Sequence, residues 1–321
     1  TAITAAIGNA TKHGFLVREG DALERLALVK LIAFDKTGTL TKGVFEVTTL
    51  HPEKMDEKEL LHLAAHVERY STHPIAVSLR TAFGNEADGC AVESVEEVAG
   101  QGIRAVVNGR TVCVGNSKMM DAIGAKWKSC DEAGTIIHVA VDGVYAGHIH
   151  ISDIEKPDAK KAIAELKTLG VGHTVMLTGD REEVAKRVAS DPGLDEYHAE
   201  LLPADKVSGV EQLLQNRKEG ASLVFVGDGI NDAPVLARAD IGVAMGAMGS
   251  DAAIEAADVV LMDDQPSKIA KAVRISRSTL AIAKQNIVFA IAVKVGILIL
   301  AAFGLAPMWL AVFGDTGVLI L

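Results

Sequence analysis

The sequence has few cysteines and none of the spacings by which cysteine usually binds a structural metal or forms a redox pair. Its 321 residues contain only Cys90, Cys113 and Cys130, without a Cys-x-x-Cys pair or a zinc-knuckle spacing. We therefore expect three reduced thiols in a cytosolic environment.

An excess of positive charge, a P-loop and a start methionine are also missing. The chain has 42 acidic and 32 basic residues, and this net charge of −10 argues against a nucleic-acid-binding surface. No G-x-x-x-x-G-K-[ST] segment is present, so a P-loop nucleotide site is not expected. Because Thr1 is not a start methionine and no signal peptide is found, we expect the C-terminal part of a longer protein.

Apolar residues are abundant, at 49% of the total, and the excess is local. Most of Ile287–Leu321 is uncharged, whereas the residues before it carry nearly all of the charge. The length predicts about two domains.

The most informative stretch is Leu31–Thr41, in which four apolar residues precede the polar run DKTGTLT. The apolar residues predict a short buried strand, and the glycine predicts a turn. At a strand end of an α/β sheet, a carboxylate among hydroxyls, here Asp35, can bind Mg²⁺ and attack a phosphoryl group. The simpler interpretation is an aspartate that only caps a turn.

Two further apolar strands end in the same abrupt change to polar residues. Thr174–Leu177 precedes the segment TGD, and Leu223–Val226 precedes GDGINDAP, with PADK between them. Strands that alternate with amphipathic helices predict a doubly wound parallel sheet. Asp240–Met245 and Asp258–Met262 are expected to be further strands of this sheet.

If these strands are neighbours, their polar ends form one crevice. Asp35, Asp228 and the carbonyl of Thr37 would make a hard oxygen site suited to Mg²⁺. The Thr178 hydroxyl and the Lys206 ammonium would hold the oxygens of a phosphoryl group during its transfer. Any single aspartate here could instead be a turn residue.

The run DKTGTLT resembles the phosphorylation signature of the P-type ATPases, ion pumps that pass through an aspartyl-phosphate. TGD, PADK and GDGINDAP follow in the order found in the haloacid-dehalogenase-like core of that family. The resemblance implies that Asp35 is the phosphorylated nucleophile. The other catalytic residues that it implies are Thr178, Asp180 and Lys206, and the residues that would support the phosphate site are Lys36, Thr39, Asn231 and Asp232.

The resemblance implies an α/β fold in which residues 1–27 are a cytoplasmic lead-in after a missing membrane helix. Residues 28–45 and 145–266 would form the haloacid-dehalogenase-like parallel-sheet phosphorylation domain, to which the strand Val144–Ile151 returns. An α+β nucleotide-binding domain of residues 46–144 would be inserted between them, with a helix over Glu57–Val67 and several antiparallel strands. Residues 267–321 would add a basic helix and two C-terminal transmembrane helices.

Two segments of the insert resemble signatures of the heavy-metal subclass of P-type ATPases. In Glu68–Ala76, Glu68 and His73 match the Glu-x4-His-Pro signature, and the resemblance implies that both contact the adenine end of ATP. Gly100 and Gly102 match the G-x-G element, in which missing side chains allow a nucleotide to approach the backbone. The alternative for His73 is an ordinary capped helix start.

The C-terminal region predicts membrane helices. Ser267–Gln285 is helical and basic, and Ile287–Phe303 is long enough to cross a bilayer. A turn at Gly304–Pro307 leads to a second span, Met308–Leu321, that is cut short. The basic residues before the first span predict that the N-terminal end of this span lies on the cytosolic side of the membrane. A buried hairpin of a soluble core is the alternative.

Two charges interrupt these apolar spans, Lys294 in the first and Asp315 in the second. A charge at membrane depth is costly and usually marks a substrate path. The segment around Asp315 and the position of Lys294 resemble the Zn²⁺/Cd²⁺/Pb²⁺ pumps, which implies a transported-metal site. The Tyr-Asn and Met-Ser residues of copper pumps and the His-Glu-Gly-Gly of cobalt pumps are absent. A purely architectural Lys–Asp ion pair is the alternative.

The resemblance implies ATP-driven export of Zn²⁺, Cd²⁺ or Pb²⁺, with ATP and Mg²⁺ as cofactors. The catalytic domains would be cytoplasmic and the protein a multi-pass protein of the plasma membrane. Its partners would be membrane lipid and the missing actuator domain and upstream helices, and no nucleic acid. The rival hypotheses are a copper pump, a soluble phosphatase of the same core and a non-catalytic metal-binding or scaffold fragment. Such a phosphatase needs a second aspartate as general acid where this chain has Thr37.

Overall fold

The fold consists of two β-sheets with helices packed on them. A computed structural model describes residues 2–85, 87–130, 134–228, 232–246, 251–304 and 312. The strands are β1 (Phe15–Val17), β2 (Val29–Asp35), β3 (Thr41–Pro52), β4 (Val92–Val98), β5 (Gly102–Val107), β6 (Arg110–Gly115), β7 (Thr135–Val141), β8 (Val144–Glu155), β9 (His173–Leu177), β10 (Glu196–His198), β11 (Ser222–Gly227), β12 (Ile241–Met245) and β13 (Val259–Leu261). The helices are α1 (Ala2–Lys12), α2 (Gly20–Ala27), α3 (Glu57–Val67), α4 (Pro74–Phe83), α5 (Ser117–Ala122), α6 (Ala159–Thr168), α7 (Glu182–Ser190), α8 (Pro203–Asn216), α9 (Ala233–Arg238), α10 (Asp251–Ala256) and α11 (Ser267–Ala302).

The first sheet has seven strands in the order β1-β13-β12-β11-β2-β9-β10. All neighbours are parallel except β1, which is antiparallel to β13. Its inner strands are apolar almost throughout because helices cover both faces. The predicted doubly wound parallel sheet is therefore confirmed.

The order of the strands places the predicted polar segments together. The strand β2 lies between β11 and β9, with Val226 opposite Phe34 and Leu177 opposite Asp35. The residues after Leu177 and Val226 therefore leave the sheet at the same edge as Asp35.

The second sheet has six antiparallel strands in the order β3-β8-β7-β6-β5-β4, and the helices α3 and α4 pack on it. The prediction that Val144–Ile151 returns to the parallel sheet is wrong, since β8 pairs with β3 and β7. The reason is the turn Asp142-Gly143, whose two positive φ angles of 50° and 79° make a tight hairpin that holds β8 against β7. The second sheet thus extends from Thr41 to Glu155, beyond the predicted insert of residues 46–144.

The first 27 residues are part of the parallel-sheet domain rather than only a lead-in to it. The strand β1 adds an edge next to β13, which the sequence pattern did not predict. In α2 the side chains of Leu23, Leu26 and Ala27 are all buried.

The predicted basic helix and first apolar span form one continuous helix, α11, of 36 residues. Its N-terminal part packs against α1, α2 and α6 of the parallel-sheet domain, where Ile269, Ala270 and Val273 are buried. Its C-terminal part, including Ile287 and Leu298, is exposed and is long and apolar enough to cross a membrane. This exposure does not fit a buried hairpin. The predicted second span, Met308–Leu321, lies outside the described residues except for position 312.

Candidate active site

The turn after β2 requires a glycine and brings a second carboxylate next to it. Gly38 has a φ of 72°, in the region that favours glycine. A Cβ atom built on Gly38 would lie 1.5 Å from Oδ2 of Asp228. The missing side chain therefore lets Asp228, at the end of β11, approach the turn that begins at Asp35.

Three carboxylates meet at this edge of the sheet. Oxygens of Asp35, Asp228 and Asp232 lie within 4.8 Å of one another, although the sequence predicted Asp232 only as phosphate-site support. Nζ of Lys206 lies 2.5 Å from Oδ1 of Asp35 and 3.0 Å from Oδ1 of Asp232. Lys206 thus pairs with two of the three carboxylates, and the cluster of hard oxygen donors fits Mg²⁺.

The pKa values reflect the burial and crowding of these charges. Burial, followed by the charge of Asp232, raises the pKa of Asp35 to about 7, although Lys206 opposes the shift. Burial and Asp232 likewise raise the pKa of Asp228 to about 6. Burial disfavours the ammonium of Lys206, but Asp35 and Asp232 outweigh it and raise its pKa. Lys206 therefore stays charged, and an added cation would favour the ionised form of Asp35.

The segments TGD and PADK position their side chains through local hydrogen bonds. The buried Thr178 accepts a hydrogen bond at Oγ1 from the backbone N–H of Asp180, at 3.1 Å. Helix α8 begins at Pro203, and Asp205 accepts a hydrogen bond from the N–H of Leu202 at 3.0 Å. This helix start directs Lys206 to Asp35.

Asp180 does not join the three carboxylates. It pairs with Lys36, whose Nζ lies 2.5 Å from Oδ2 of Asp180 and 3.6 Å from Oδ2 of Asp153. Lys36 is buried, so these two carboxylates compensate its charge. The arrangement places Asp180 beside the turn as a partner of Lys36.

Sequence reasoning missed two residues of the site, Asp153 and Lys156. Nζ of the buried Lys156 donates to the carbonyl of Gly38 at 2.5 Å. Asp153 accepts hydrogen bonds from the hydroxyl of Thr41 and from the N–H of Gly43, the latter at 3.0 Å. Both residues hold the turn from the far end of β8. The available signal was the charged run DIEKP directly after an apolar strand.

The remaining predicted phosphate-site residues differ in what the structure shows. Thr39 is fully buried, and its hydroxyl has no hydrogen-bond partner among the described residues. An unpartnered buried hydroxyl in the turn after Asp35 fits a site that receives a ligand. Asn231 lies outside the described residues.

A cleft of about 760 Å³ separates the two sheets beside this site. Lys36, Thr37 and Asp180 line it on one side, and Asn116 and Trp127 line it on the other. Its size is that of a small-molecule site. The cleft therefore gives a ligand access to the turn after Asp35.

Glu68 and His73 do not line this cleft. Glu68 ends α3, and burial, with a contribution from Glu97 on β4, raises its pKa. Arg80 donates to the carbonyls of Glu68 and Ser71 at 2.7 and 2.8 Å, which holds the loop between α3 and α4. His73 is exposed and caps α4, with Nδ1 accepting from Ile75 at 3.3 Å. Capping uses only one ring nitrogen, so a ligand contact through Nε2 stays compatible with it.

The two glycines of the G-x-G element are required for different structural reasons. A Cβ on Gly102 would lie 2.2 Å from the carbonyl of Val114, so packing between β5 and β6 already requires glycine there. Gly100 has a φ of 70° and no atom within 4 Å of such a Cβ. Its carbonyl accepts from Asn116, which lines the cleft, at 2.9 Å. Gly100 is thus the glycine that leaves open space.

Of the two predicted transported-metal residues, one lies within the described residues. Lys294 lies on the exposed apolar part of α11. Asp315 lies outside the described residues, so the predicted pair stays a prediction.

The fold and the carboxylate site define a class of protein. Residues 29–240 match the haloacid dehalogenase-like hydrolases, and the chain belongs to this family.

Within that class the resemblance to heavy-metal P-type ATPases is confirmed. A zinc-transporting ATPase of Synechocystis is 52% identical over 316 residues, which cover 98% of this chain and 44% of the relative. A cadmium, zinc and cobalt-transporting ATPase of Bacillus subtilis is 54% identical, with 98% and 45% covered. The structure of a zinc-transporting PIB-type ATPase in the E2.Pi state matches with a TM-score of 0.89 and 38% identity, over 99% of this chain and 53% of the other. The chain thus spans about half the length of the relatives it matches.

Proposed function

We propose that this chain is the ATP-binding and phosphorylation part, with a part of the metal pathway, of a pump that exports Zn²⁺, Cd²⁺ or Pb²⁺. The observation that carries the proposal is the position of Asp35, which meets Asp228, Asp232 and Lys206 at one sheet edge. The transported ions named for its relatives support the choice of Zn²⁺ and Cd²⁺.

The first step is transfer of the γ-phosphoryl group of ATP to Asp35. A bond forms between a carboxylate oxygen of Asp35 and the γ-phosphorus, while the bond to the bridging oxygen breaks and ADP leaves with the electron pair. Lys206 orients the carboxylate through Oδ1, and with Thr178 it stabilises the negative charge of the phosphoryl oxygens.

Mg²⁺ would be held by Asp35, Asp228 and the carbonyl of Thr37, with Asp232 as a further carboxylate within reach. When bound, the ion neutralises phosphate charge during the transfer. The raised pKa values of Asp35 and Asp228 are the electrostatic reason that these residues favour an added cation.

The phosphorylated aspartate should persist long enough to drive a conformational cycle. Thr37 stands two residues after Asp35, and a threonine hydroxyl is a poor general acid for hydrolysis. Asp180 cannot replace it because it is paired with Lys36. We therefore assign hydrolysis to the actuator domain that the resemblance implies for the longer protein.

The pump would be a multi-pass protein of the plasma membrane with its catalytic domains in the cytosol. The support is α11, which joins the parallel sheet to an exposed apolar segment without a break. The apolar C-terminal part of α11 follows a basic N-terminal part, and basic residues next to a membrane span are typical of its cytoplasmic end.

Replacing Glu68 or His73 by alanine should weaken ATP binding by about 1–3 kcal/mol, because each removes a polar contact with the nucleotide. Calorimetry of ATP binding to the purified chain measures the effect. Glu57→Ala is the matched control, since Glu57 is exposed at the other end of α3. If ATP affinity is unchanged in both variants and in the control, the nucleotide contacts are refuted and His73 only caps α4.

Asp315→Ala in the full-length pump should abolish Zn²⁺-stimulated ATP turnover if Asp315 is a transport ligand. Lys294→Ala should also impair it, because the remaining charge would lie uncompensated at membrane depth. Phosphorylation of Asp35 from inorganic phosphate should persist in both variants, since it needs only the cytoplasmic site.

The double variant separates a ligand site from an architectural ion pair. A ligand site stays inactive when both charges are removed, whereas an ion pair recovers. Recovery of Zn²⁺-dependent turnover in the double variant would therefore contradict the metal role of Asp315.

A further inference from the structure

A second cluster of potential metal ligands lies in the inserted domain, apart from the phosphoryl site. The nitrogen, sulfur and oxygen donor atoms of His62, His66, Asp88 and Cys90 all lie within 4.8 Å of one another. We propose that these four residues form a binding site for a borderline or soft divalent cation of the Zn²⁺ class.

The local geometry explains why the two histidines converge. His62 and His66 are four residues apart in α3, so their side chains lie on the same face of the helix. Nε2 of His62 and Nε2 of His66 lie 3.0 and 3.1 Å from the same atom, Oδ2 of Asp88. The two imidazole nitrogens of α3 and one carboxylate oxygen of the later loop therefore already lie close together.

The loop that carries the other two ligands is held in place. The N–H of Cys90 donates to Oδ1 of Asp88 at 3.0 Å, which brings the thiol to the carboxylate. The next residue, Ala91, exchanges two hydrogen bonds with Asn108, each 3.0 Å long. These contacts fix the loop relative to the second sheet and so limit the reorganisation that binding would require.

The surroundings provide both shielding and access. The side chain of His66 is 2% exposed, whereas those of Asp88 and His62 are 20% and 25% exposed. The ring of Phe83 lies 5.2 and 5.4 Å from the rings of His62 and His66 and covers the apolar side. An ion can thus enter from the Asp88 side into a site that is shielded at His66.

The donor set selects the kind of cation. Two imidazoles, one thiol and one carboxylate are four ligands, the number of a closed tetrahedral zinc site. Thiolate and imidazole favour Zn²⁺, Cd²⁺ or Co²⁺ over Mg²⁺ and Ca²⁺, which prefer oxygen ligands. The cluster therefore differs in chemistry from the all-carboxylate site at Asp35, and the two can be filled independently.

Co²⁺ is the probe for this site, because thiolate-bound Co²⁺ gives a charge-transfer band that oxygen ligands do not give. The whole chain is titrated in detergent with excess Mg²⁺ present to occupy the carboxylate site. We expect Co²⁺ bound at this cluster to give tetrahedral visible bands and a thiolate band, and Zn²⁺ to displace it. Zn²⁺ should also raise the melting temperature, since it would bind the assembled cluster more tightly than the separated ligands of the unfolded chain.

Variants assign the ligands. Cys90→Ser should lose the thiolate band but keep weaker Co²⁺ binding, and Cys130→Ser, at a half-buried cysteine outside the cluster, should keep the band. The double variant His62→Ala/His66→Ala should bind at least about tenfold more weakly, since even partners behind the ligands are worth roughly 10–100-fold. If circular dichroism shows that it does not fold, His62→Gln, at the more exposed ligand, replaces it in the same titration.

The proposal fails on any of three results with the folded chain. These are a wild-type chain without the thiolate band, a band that survives in Cys90→Ser, and a band that is lost in Cys130→Ser. Unchanged affinity in the histidine variant would equally show that the cluster is only a hydrogen-bonded contact between α3 and its neighbouring loop. The readout is metal binding, so it stands apart from failure of the pump hypothesis.

Discussion

Asp35→Asn should abolish the acid-stable, hydroxylamine-labile phosphoenzyme that the chain forms from Mg-ATP. An amide is not a nucleophile at phosphorus and is a poor ligand for Mg²⁺. The loss should be complete within the limit of detection. Asp35 is the carboxylate at the end of β2, where Lys206 orients it, and no other carboxylate of the described site has that position. Labelling with γ-phosphate-labelled ATP, followed by acid quench and gel separation, measures it.

Folding of this variant can be checked independently. The pKa of Asp35 is raised to about 7 from its ordinary value, so the folded chain holds a proton there that the unfolded chain has lost. The free energy of unfolding contributed by this group therefore falls as pH rises from about 4 to 7, and removing the charge should not lower stability at pH 8.

Asp21→Asn, at an exposed residue of α2, is the control for the labelling experiment and should label normally. Labelled Asp35→Asn would refute the assignment of the nucleophile.

Gly38→Ala should reduce phosphoenzyme formation by at least about 100-fold, since displacements of about 1 Å in an active site have effects of that size. The new Cβ would lie 1.5 Å from Oδ2 of Asp228, so Asp228 or the turn must move. The turn is held by Lys156 at the carbonyl of Gly38 and by the hydrogen bonds of Asp153, so it cannot shift without breaking them. The rate of labelling at saturating ATP and its Mg²⁺ dependence measure the effect.

Gly124→Ala is the matched control for backbone strain. Gly124 has a φ of 70°, close to the 72° of Gly38, but nothing lies within 4 Å of its Cβ position. Both variants carry the cost of an alanine at positive φ, about 1 kcal/mol, and only Gly38→Ala adds the collision. Equal labelling in the two variants would show that the approach of Asp228 to the turn is not needed for phosphorylation.

The polar strand ends were predictable from the sequence because they are local features. The change from apolar to polar residues at Asp35, Thr178 and Asp228 marks the end of a buried strand wherever the strand lies. Parallel strands then require these ends to share one edge of the sheet, as the pairing of β2 with β9 and β11 confirms. The roles proposed for these side chains stay predictions until they are tested by labelling.

The misplaced strand shows where local patterns were insufficient. Residues of β8 are apolar enough for either sheet, so composition could not decide between them. The turn at Asp142-Gly143 was a usable signal, since a two-residue hairpin requires pairing with the strand before it. The charged run that contains Asp153 and Lys156 lies at the end of β8, and the local pattern did not predict its contacts with the turn after Asp35.

The cysteine pattern was similarly uninformative about metal binding. Cys90 has no second cysteine at a zinc-knuckle spacing, so the sequence indicated an ordinary thiol. The two histidines that lie near Cys90 belong to α3, and α4 separates α3 from the loop of Cys90 in the chain. Only the packing of α3 against the loop before β4 brings them together.

By itself the sequence determined the strand ends, the positive-φ glycine and the apolar length of α11, which depend on residues close together in the chain. The tertiary structure decided which charges meet. Lys206 is 171 residues from Asp35, and Lys156 is 118 residues from Gly38, so neither contact follows from a local pattern. The raised pKa of Asp35 arises from burial and from Asp232 at the start of α9. Desolvation and Coulomb interactions depend on distance in space, and that distance exists only once the sheet has formed.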